Sequence, residues 1–199
     1  MRSPVKFILA FLISMLLFSC EKPEPNPKVE IQTELGGIEI EIFFKQAPIT
    51  SANFLRYVDE RKFENTSFYR VVTPTNQPNN DVKIEVIQGG LKFEEDMHEP
   101  IEHETTEKTG IKHLDGVISM ARSEPGTAAS EFFICVGNQP ELDFGGKRNP
   151  DLQGFAAFGK VTKGMDIVKK IQLSPESEQR LTPEIEIENI VRIDPPEEE

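Results

Sequence analysis

A chain of 199 residues with 37% hydrophobic and 28% charged content suits one soluble domain with a sizeable core and excludes a disordered or fibrous polypeptide. Its formal charge of −12 argues against nucleic acid as a partner, because a phosphate backbone needs a basic face. With only two cysteines, Cys20 near the start and Cys135 inside the apolar run "FFICV", no internal disulfide is expected in the folded body and Cys135 reads as a buried, inert thiol.

The first residues do not read as fold. Arg2 and Lys6 precede a run from Phe7 to Phe18 that is apolar apart from Ser14, which is a charged leader followed by an apolar stretch too short to span a bilayer. The run ends in Leu17-Phe18-Ser19-Cys20, which resembles a bacterial lipobox. That resemblance makes residues 1–19 a lipoprotein signal peptide. Cys20 becomes the lipidated N-terminus, anchoring the protein in the bacterial cell envelope, facing the periplasm or the outside. An ordinary secretory signal, or a short anchor that contains a cysteine, is the alternative. Removal of residues 1–19 takes away Arg2 and Lys6 and no acid, so −12 becomes −14. Residues 20–28 form a proline-rich linker, whose segment "EKPEPNPK" favours extended polyproline II reaching about 25 Å. The body runs over 29–194, and the acidic tail 195–199 reads as disordered.

Inside the body, "VEIQTELGGIEIEIFF" alternates as two strands around a Gly36-Gly37 turn, with Ile38, Ile40 and Ile42 on one face. Residues 48–60 have Pro48 near the start and apolar residues at helical spacing. Strands follow at 66–72 and 82–88, then a charged, irregular stretch over 91–115. Short apolar strands recur at "GVISMA", "EFFICV" and "FAAFGKV". A helix at 163–172 places Met165, Val168 and Ile171 on one stripe, and a last strand runs over 185–193. Many short strands with two helices predict a mainly β fold, a closed barrel whose ends the helices cover. Antiparallel pairing is expected because long crossover helices are missing.

One stretch raises a chemical question. In "FYRVVTPTNQPNNDVKIEVIQGG", residues 68–90, a lone arginine sits in an otherwise apolar strand. Strict alternation puts Phe68, Arg70 and Val72 on one face and Tyr69 and Val71 on the other. Arg70 is then either an edge residue paired with one of many carboxylates or a cation aimed at a ligand.

Five motifs in order favour the second: Phe68-Tyr69-Arg70-Val71-Val72, Gln88-Gly89-Gly90, Ser119-Met120-Ala121-Arg122, Ser130-Glu131-Phe132-Phe133-Ile134, and Gly154 to Val161. From about Val29 to Ile193 the chain resembles the cyclophilins, the cyclosporin-binding family of peptidyl-prolyl cis-trans isomerases. The resemblance implies a closed eight-stranded antiparallel barrel capped by two helices, with a peptide groove on its outer face. It makes Arg70 the catalytic arginine and Gln88 the groove glutamine. Phe133 and Leu142 become walls of a proline pocket, to which Val86 adds an apolar residue. Ala121 falls at a backbone position that bonds the bound peptide, and Phe155 where the family has histidine or an aromatic. Phe68, which opens the arginine motif, is counted with these substrate-binding residues.

These residue types suit the chemistry. An X-Pro amide is held planar by resonance behind a barrier of about 18–20 kcal/mol. At the twisted transition state the prolyl nitrogen regains a lone pair, to which a guanidinium can donate. The planar ground state offers no such acceptor, so the bond is made where it accelerates the reaction. One preorganised donor of this kind is worth about 3–4 kcal/mol. No metal, nucleophile or cofactor is required.

Residues 73–87 separate Val72 from Gln88, a longer stretch than the resemblance implies. Counting back from Gln88 puts Glu85 where the family lines its pocket with phenylalanine. A carboxylate there would weaken the pocket and compete for Arg70, unless the register shifts and Ile84 fills the place. Glu131 and Arg122 replace a common glutamine and asparagine, and Glu141 stands in place of the tryptophan of cyclosporin-sensitive members, so weak drug binding is expected. His98 and His103 fit no standard metal spacing. Two readings follow: a monomeric, lipid-anchored isomerase acting on Pro-containing unfolded or partly folded polypeptides, or a non-catalytic module of the same fold that binds Pro-containing segments.

Overall fold

The computed structural model describes residues 25–91 and 96–193. Residues 1–19, read from the sequence as a signal peptide, Cys20 and the 195–199 tail lie outside the described residues. In chain order the elements are β1 (Lys28–Thr33), β2 (Gly36–Ile42), α1 (Pro48–Asp59), β3 (Thr66–Val72), β4 (Val86–Gly90) and α2 (Thr106–Thr109). They continue with β5 (Val117–Met120), β6 (Phe132–Cys135), β7 (Ala156–Lys163), α3 (Met165–Gln172), β8 (Glu176–Ser177) and β9 (Arg180–Ile193).

Neighbouring strands pair in the order β1-β2-β7-β5-β6-β4-β3-β9, and β9 pairs back onto β1, which closes an eight-stranded barrel. Every pairing is antiparallel; β8 is a short hairpin arm on β9. Closure removes the open edges that a sheet of this size would otherwise expose. Helix α1 packs on β7 and β9, and α3 on β2, β3 and β4. The buried apolar residues of both helices join the barrel interior in one cluster.

Strand alternation decides which apolar residues fill that interior. Ile38, Ile40 and Ile42 of β2 are fully buried together, as their spacing predicts. On β6, Phe132 and Ile134 point inward, whereas Phe133 and Cys135 belong to a second cluster with Val72, Ile84, Val86 and Leu142. This outer cluster is the apolar floor of the site described below. Five rings, Phe54, Phe63, Phe68, Phe132 and Phe158, fill the interior at centroid separations of 5.0 to 5.9 Å.

Local chemistry explains where elements differ from the sequence expectation. The first hairpin turns at Glu34-Leu35, with Thr33 pairing with Gly36, so Gly36-Gly37 opens β2 instead of forming the turn. Asn26 and Pro27 bond to Glu41 and Ile42, so the body starts slightly before residue 29. β4 begins at Val86 and not at 82, because the buried amide of Gln77 takes over the pairing of Ile84: its Nε2 donates to the carbonyls of Thr73 and Ile84 at 2.8 and 2.7 Å. β9 begins earlier than expected, at Arg180. α2 is a single turn within the stretch read as irregular. Ala47 supplies no side-chain cap to α1; the buried carboxylate of Glu104 does so from the distant 96–105 segment, accepting from the N–H of Ile49 and the N–H and hydroxyl of Thr50.

Candidate active site

The strand pair β3–β4 builds the site, and a bulge positions it. Pairing runs in register at Phe68↔Gly89, then slips, so that Arg70 faces Gln88 and Tyr69 is the extra residue. Strict alternation is thereby broken: Phe68 and Val71 face the interior, while Arg70 and Val72 face outward. The two glycines after Gln88 let the chains pass closely. A Cβ on Gly89 would lie 2.8 Å from the carbonyl of Ser67, and Gly90, at φ +118°, would place one 2.7 Å from the carbonyl of Ser130.

Arg70 is half-buried and held by two amide oxygens. Its Nη1 donates to Gln88 Oε1 at 2.8 Å, and its Nε and Nη2 donate to Gln179 Oε1 at 3.0 and 2.6 Å. No carboxylate among the described residues pairs with it, so the edge-arginine reading does not describe this side chain. Burial pushes its pKa down, with Tyr69 and Glu131 opposing, yet a guanidinium stays charged at any physiological pH. Neutral acceptors fix its plane without cancelling its charge, and two of its five N–H groups remain for a ligand.

A relay sets the orientation of Gln88. The Tyr69 hydroxyl donates to Glu131 Oε1 and accepts from Gln88 Nε2 at 2.7 Å. A carboxylate partner forces the tyrosine to donate, which leaves its lone pair for the Gln88 NH2, and the Gln88 carbonyl must then face Arg70. Burial, reinforced by Glu131, holds the Tyr69 phenol far above its ordinary range, so it stays a donor.

Beside Arg70 opens a cavity of about 540 Å³. Val86, Gln88, Ala121, Phe133, Leu142 and Phe155 all line it, as the sequence predicts. Two predicted residues do not. Phe68 is fully buried inside the barrel, edge-on to Phe132, because the bulge turns it inward. Glu85 lies outside the lining: its N–H donates to Gln139 Oε1 and its carbonyl accepts from Val136, while Ile84 takes the pocket position. Residues 84, 86 and 88 share the outer face by simple alternation, so Ile84 and Val86 join Phe133 and Leu142 in the apolar floor and residue 85 stays out of it.

Two polar clusters hold the aromatic walls. Phe155 meets Phe133 edge-to-face at 5.3 Å, and the Arg122 guanidinium lies 5.2 Å from the Phe155 ring centroid. The buried Arg122 side chain forms a two-pronged pair with Asp151 at 2.8 and 3.0 Å and also donates to the Gly154 carbonyl. Behind Phe133, the His113 ring stacks at 5.9 Å and is fixed between Asp143 Oδ1 at 2.9 Å and Ser119 Oγ at 3.0 Å. Burial drives the His113 pKa down, so a neutral ring donates from Nδ1 to Asp143 and accepts the Ser119 hydroxyl at Nε2. This Ser-His-Asp set is no nucleophilic site, because Ser119 and His113 are both shut off from solvent. Elsewhere, His98 pairs with Glu60 and His103 contacts the Gln153 carbonyl.

Nothing in the sequence singles out Gln179. It sits 109 residues from Arg70, in the β8–β9 turn where Glu178 and Gln179 both have positive φ. Only the folded hairpin brings it under the guanidinium.

Comparison with known proteins agrees with this geometry. A family model described as "Cyclophilin type peptidyl-prolyl cis-trans isomerase/CLD" matches residues 28–192. A peptidyl-prolyl cis-trans isomerase of Acinetobacter baylyi is 40% identical over 158 residues, covering 76% of this chain and 75% of that protein. Peptidyl-prolyl cis-trans isomerase B of Escherichia coli is 37% identical over 152 residues, covering 72% and 83%. Among solved structures, a cyclophilin type isomerase of Cryptosporidium parvum superposes with a TM-score of 0.67 at 24% identity, covering 86% of this chain and 99% of its own. The same protein, crystallised in the presence of the dipeptide Ala-Pro, gives 0.65. The barrel, the ordered motifs and these matches agree, and the chain belongs to the cyclophilin-type peptidyl-prolyl cis-trans isomerase family.

Proposed function

We propose that this protein catalyses rotation about X-Pro bonds in unfolded or partly folded polypeptides of the bacterial cell envelope, where a lipid on Cys20 holds it. The observation that carries the catalytic reading is the state of Arg70: a charged guanidinium, fixed by Gln88 and Gln179, with free N–H groups beside an apolar pocket. A proline ring packs against Val86, Phe133 and Leu142 while the carbonyl side of the amide turns. As conjugation is lost, an Arg70 N–H donates to the prolyl nitrogen, lowering the barrier by about 3–4 kcal/mol. No proton is transferred. A binding-only module was suggested by a carboxylate in the pocket; with Ile84 there instead of Glu85, catalysis is the better-supported reading.

The test is the cis-to-trans rate of a short X-Pro peptide at about 10 °C, where uncatalysed exchange takes minutes. The chain lacking residues 1–19 should accelerate it. Arg70→Ala should fold normally and lose about 100- to 1,000-fold in kcat/KM. A mutant as fast as its parent would remove Arg70 from the mechanism, and no acceleration by the folded parent would leave a binding module.

A further inference from the structure

Three arginines line the cavity: Arg70, Arg122 and Arg148. Arg122 is matched by Asp151. Among the described residues the one acid in the lining, Glu131, is engaged by Tyr69. Arg148 has no carboxylate partner among the described residues, although the chain has 34 acidic residues against 22 basic ones. Glu141 lies within reach of its main chain, yet its side chain turns away to accept from the Lys147 N–H at 2.8 Å, and only its carbonyl receives the Arg148 N–H.

The Arg148 guanidinium is nevertheless held in place. Both its Nη1 bonds go to the 73–85 loop, to Gln77 Oε1 at 2.9 Å and the Val82 carbonyl at 2.6 Å. Its Nε and Nη2 groups, three donors in all, have no partner among the described residues. Burial and the nearby Arg70 charge both disfavour its protonated form, a strain that an incoming anion would relieve. Two long loops, 73–85 and 143–154, thus cooperate to place a second cation at the rim of an apolar pocket in an otherwise acidic protein.

We propose that Arg148 forms an anion-binding subsite, beside Arg70 but separate from it, that selects X-Pro segments carrying an aspartate or glutamate beside the proline. This rests on the isomerase reading and adds a substrate class to it. A carboxylate there gains charge-assisted, two-pronged bonds to a guanidinium already fixed in position.

The experiment uses end-blocked peptides, so that no terminal carboxylate competes, in two matched pairs with Glu or Gln either before or after the proline. The chain lacking residues 1–19 should favour Glu over Gln in at least one pair by about fivefold in kcat/KM, with the margin shrinking as salt rises. Arg148→Gln should bring that ratio to about 1, and Arg148→Lys, which keeps the charge, should retain part of it. A ratio near 1 in the parent for both pairs, or a preference that survives Arg148→Gln, overturns the proposal. Each ratio compares two peptides on one enzyme preparation, so partial misfolding of a variant does not mimic the result. If the parent isomerises neither peptide, amide-shift titration with the same pairs decides the subsite on affinity alone, separately from the failure of catalysis.

Discussion

The role proposed for Arg70 depends on the neutrality of its partners. A carboxylate in place of Gln88 or Gln179 would hold the guanidinium as firmly but would cancel the charge that the twisting nitrogen needs. Neutral partners bring a different weakness, since a glutamine amide can present either end. In this protein Tyr69 and Glu131 remove that ambiguity. Tyr69→Phe takes away the acceptor for Gln88 Nε2, so the amide can flip and turn its NH2 toward Arg70. We expect kcat/KM to fall about fivefold, the equivalent of about 1 kcal/mol for one neutral hydrogen bond, with an unchanged circular dichroism spectrum. An unaltered rate would show that Gln88 is held by Arg70 alone. Arg70 and Gln88 were legible in the sequence because each sits in a short motif. Gln179 was not, because nothing local marks a glutamine whose role depends on a contact across 109 residues.

At the scale of elements, legibility followed periodicity. β2, α1 and α3 announce themselves by one repeating apolar face, and their observed bounds differ little from expectation. Misplacements fall where something other than periodicity sets the chain: the bulge at Tyr69, which turned Phe68 inward, and the Gln77 side chain, which replaced a strand partner for Ile84 and delayed β4. Glu104 is a third such case, a capping group supplied from 54 residues away. Glu104→Ala strips the partner from the first N–H groups of α1 in a buried setting. The cost should be about 2–3 kcal/mol, which for a body of this size lowers Tm by about 5–10 °C. Isomerase activity measured well below the transition should be retained, since Glu104 lies outside the cavity lining. A melt that coincides with the parent's would mean that water caps α1 equally well.

For the molecule as a whole, the proposed anchor has to work against the chain's charge. Cleaved before Cys20 as proposed, the chain would carry −14 and be repelled by an anionic membrane surface, but that field decays within about 8–10 Å at physiological salt. Asn26 and Pro27 are bound to β2, so at most residues 20–25 would separate a lipid on Cys20 from the barrel. Six residues span at most about 20 Å when fully extended, which under this proposal reaches beyond the Debye length yet would keep the barrel near the surface. If a lipid on Cys20 supplies location, as proposed, and the barrel supplies chemistry, the two should separate cleanly. In a bacterial host, Cys20→Ala should move the protein from the membrane to the soluble fraction and abolish incorporation of labelled fatty acid. The purified variant should retain the parent's kcat/KM on a short X-Pro peptide, because no residue of the site lies within the tether. A Cys20→Ala protein that stays with the membrane would show that the 7–18 segment itself, uncleaved, is the anchor.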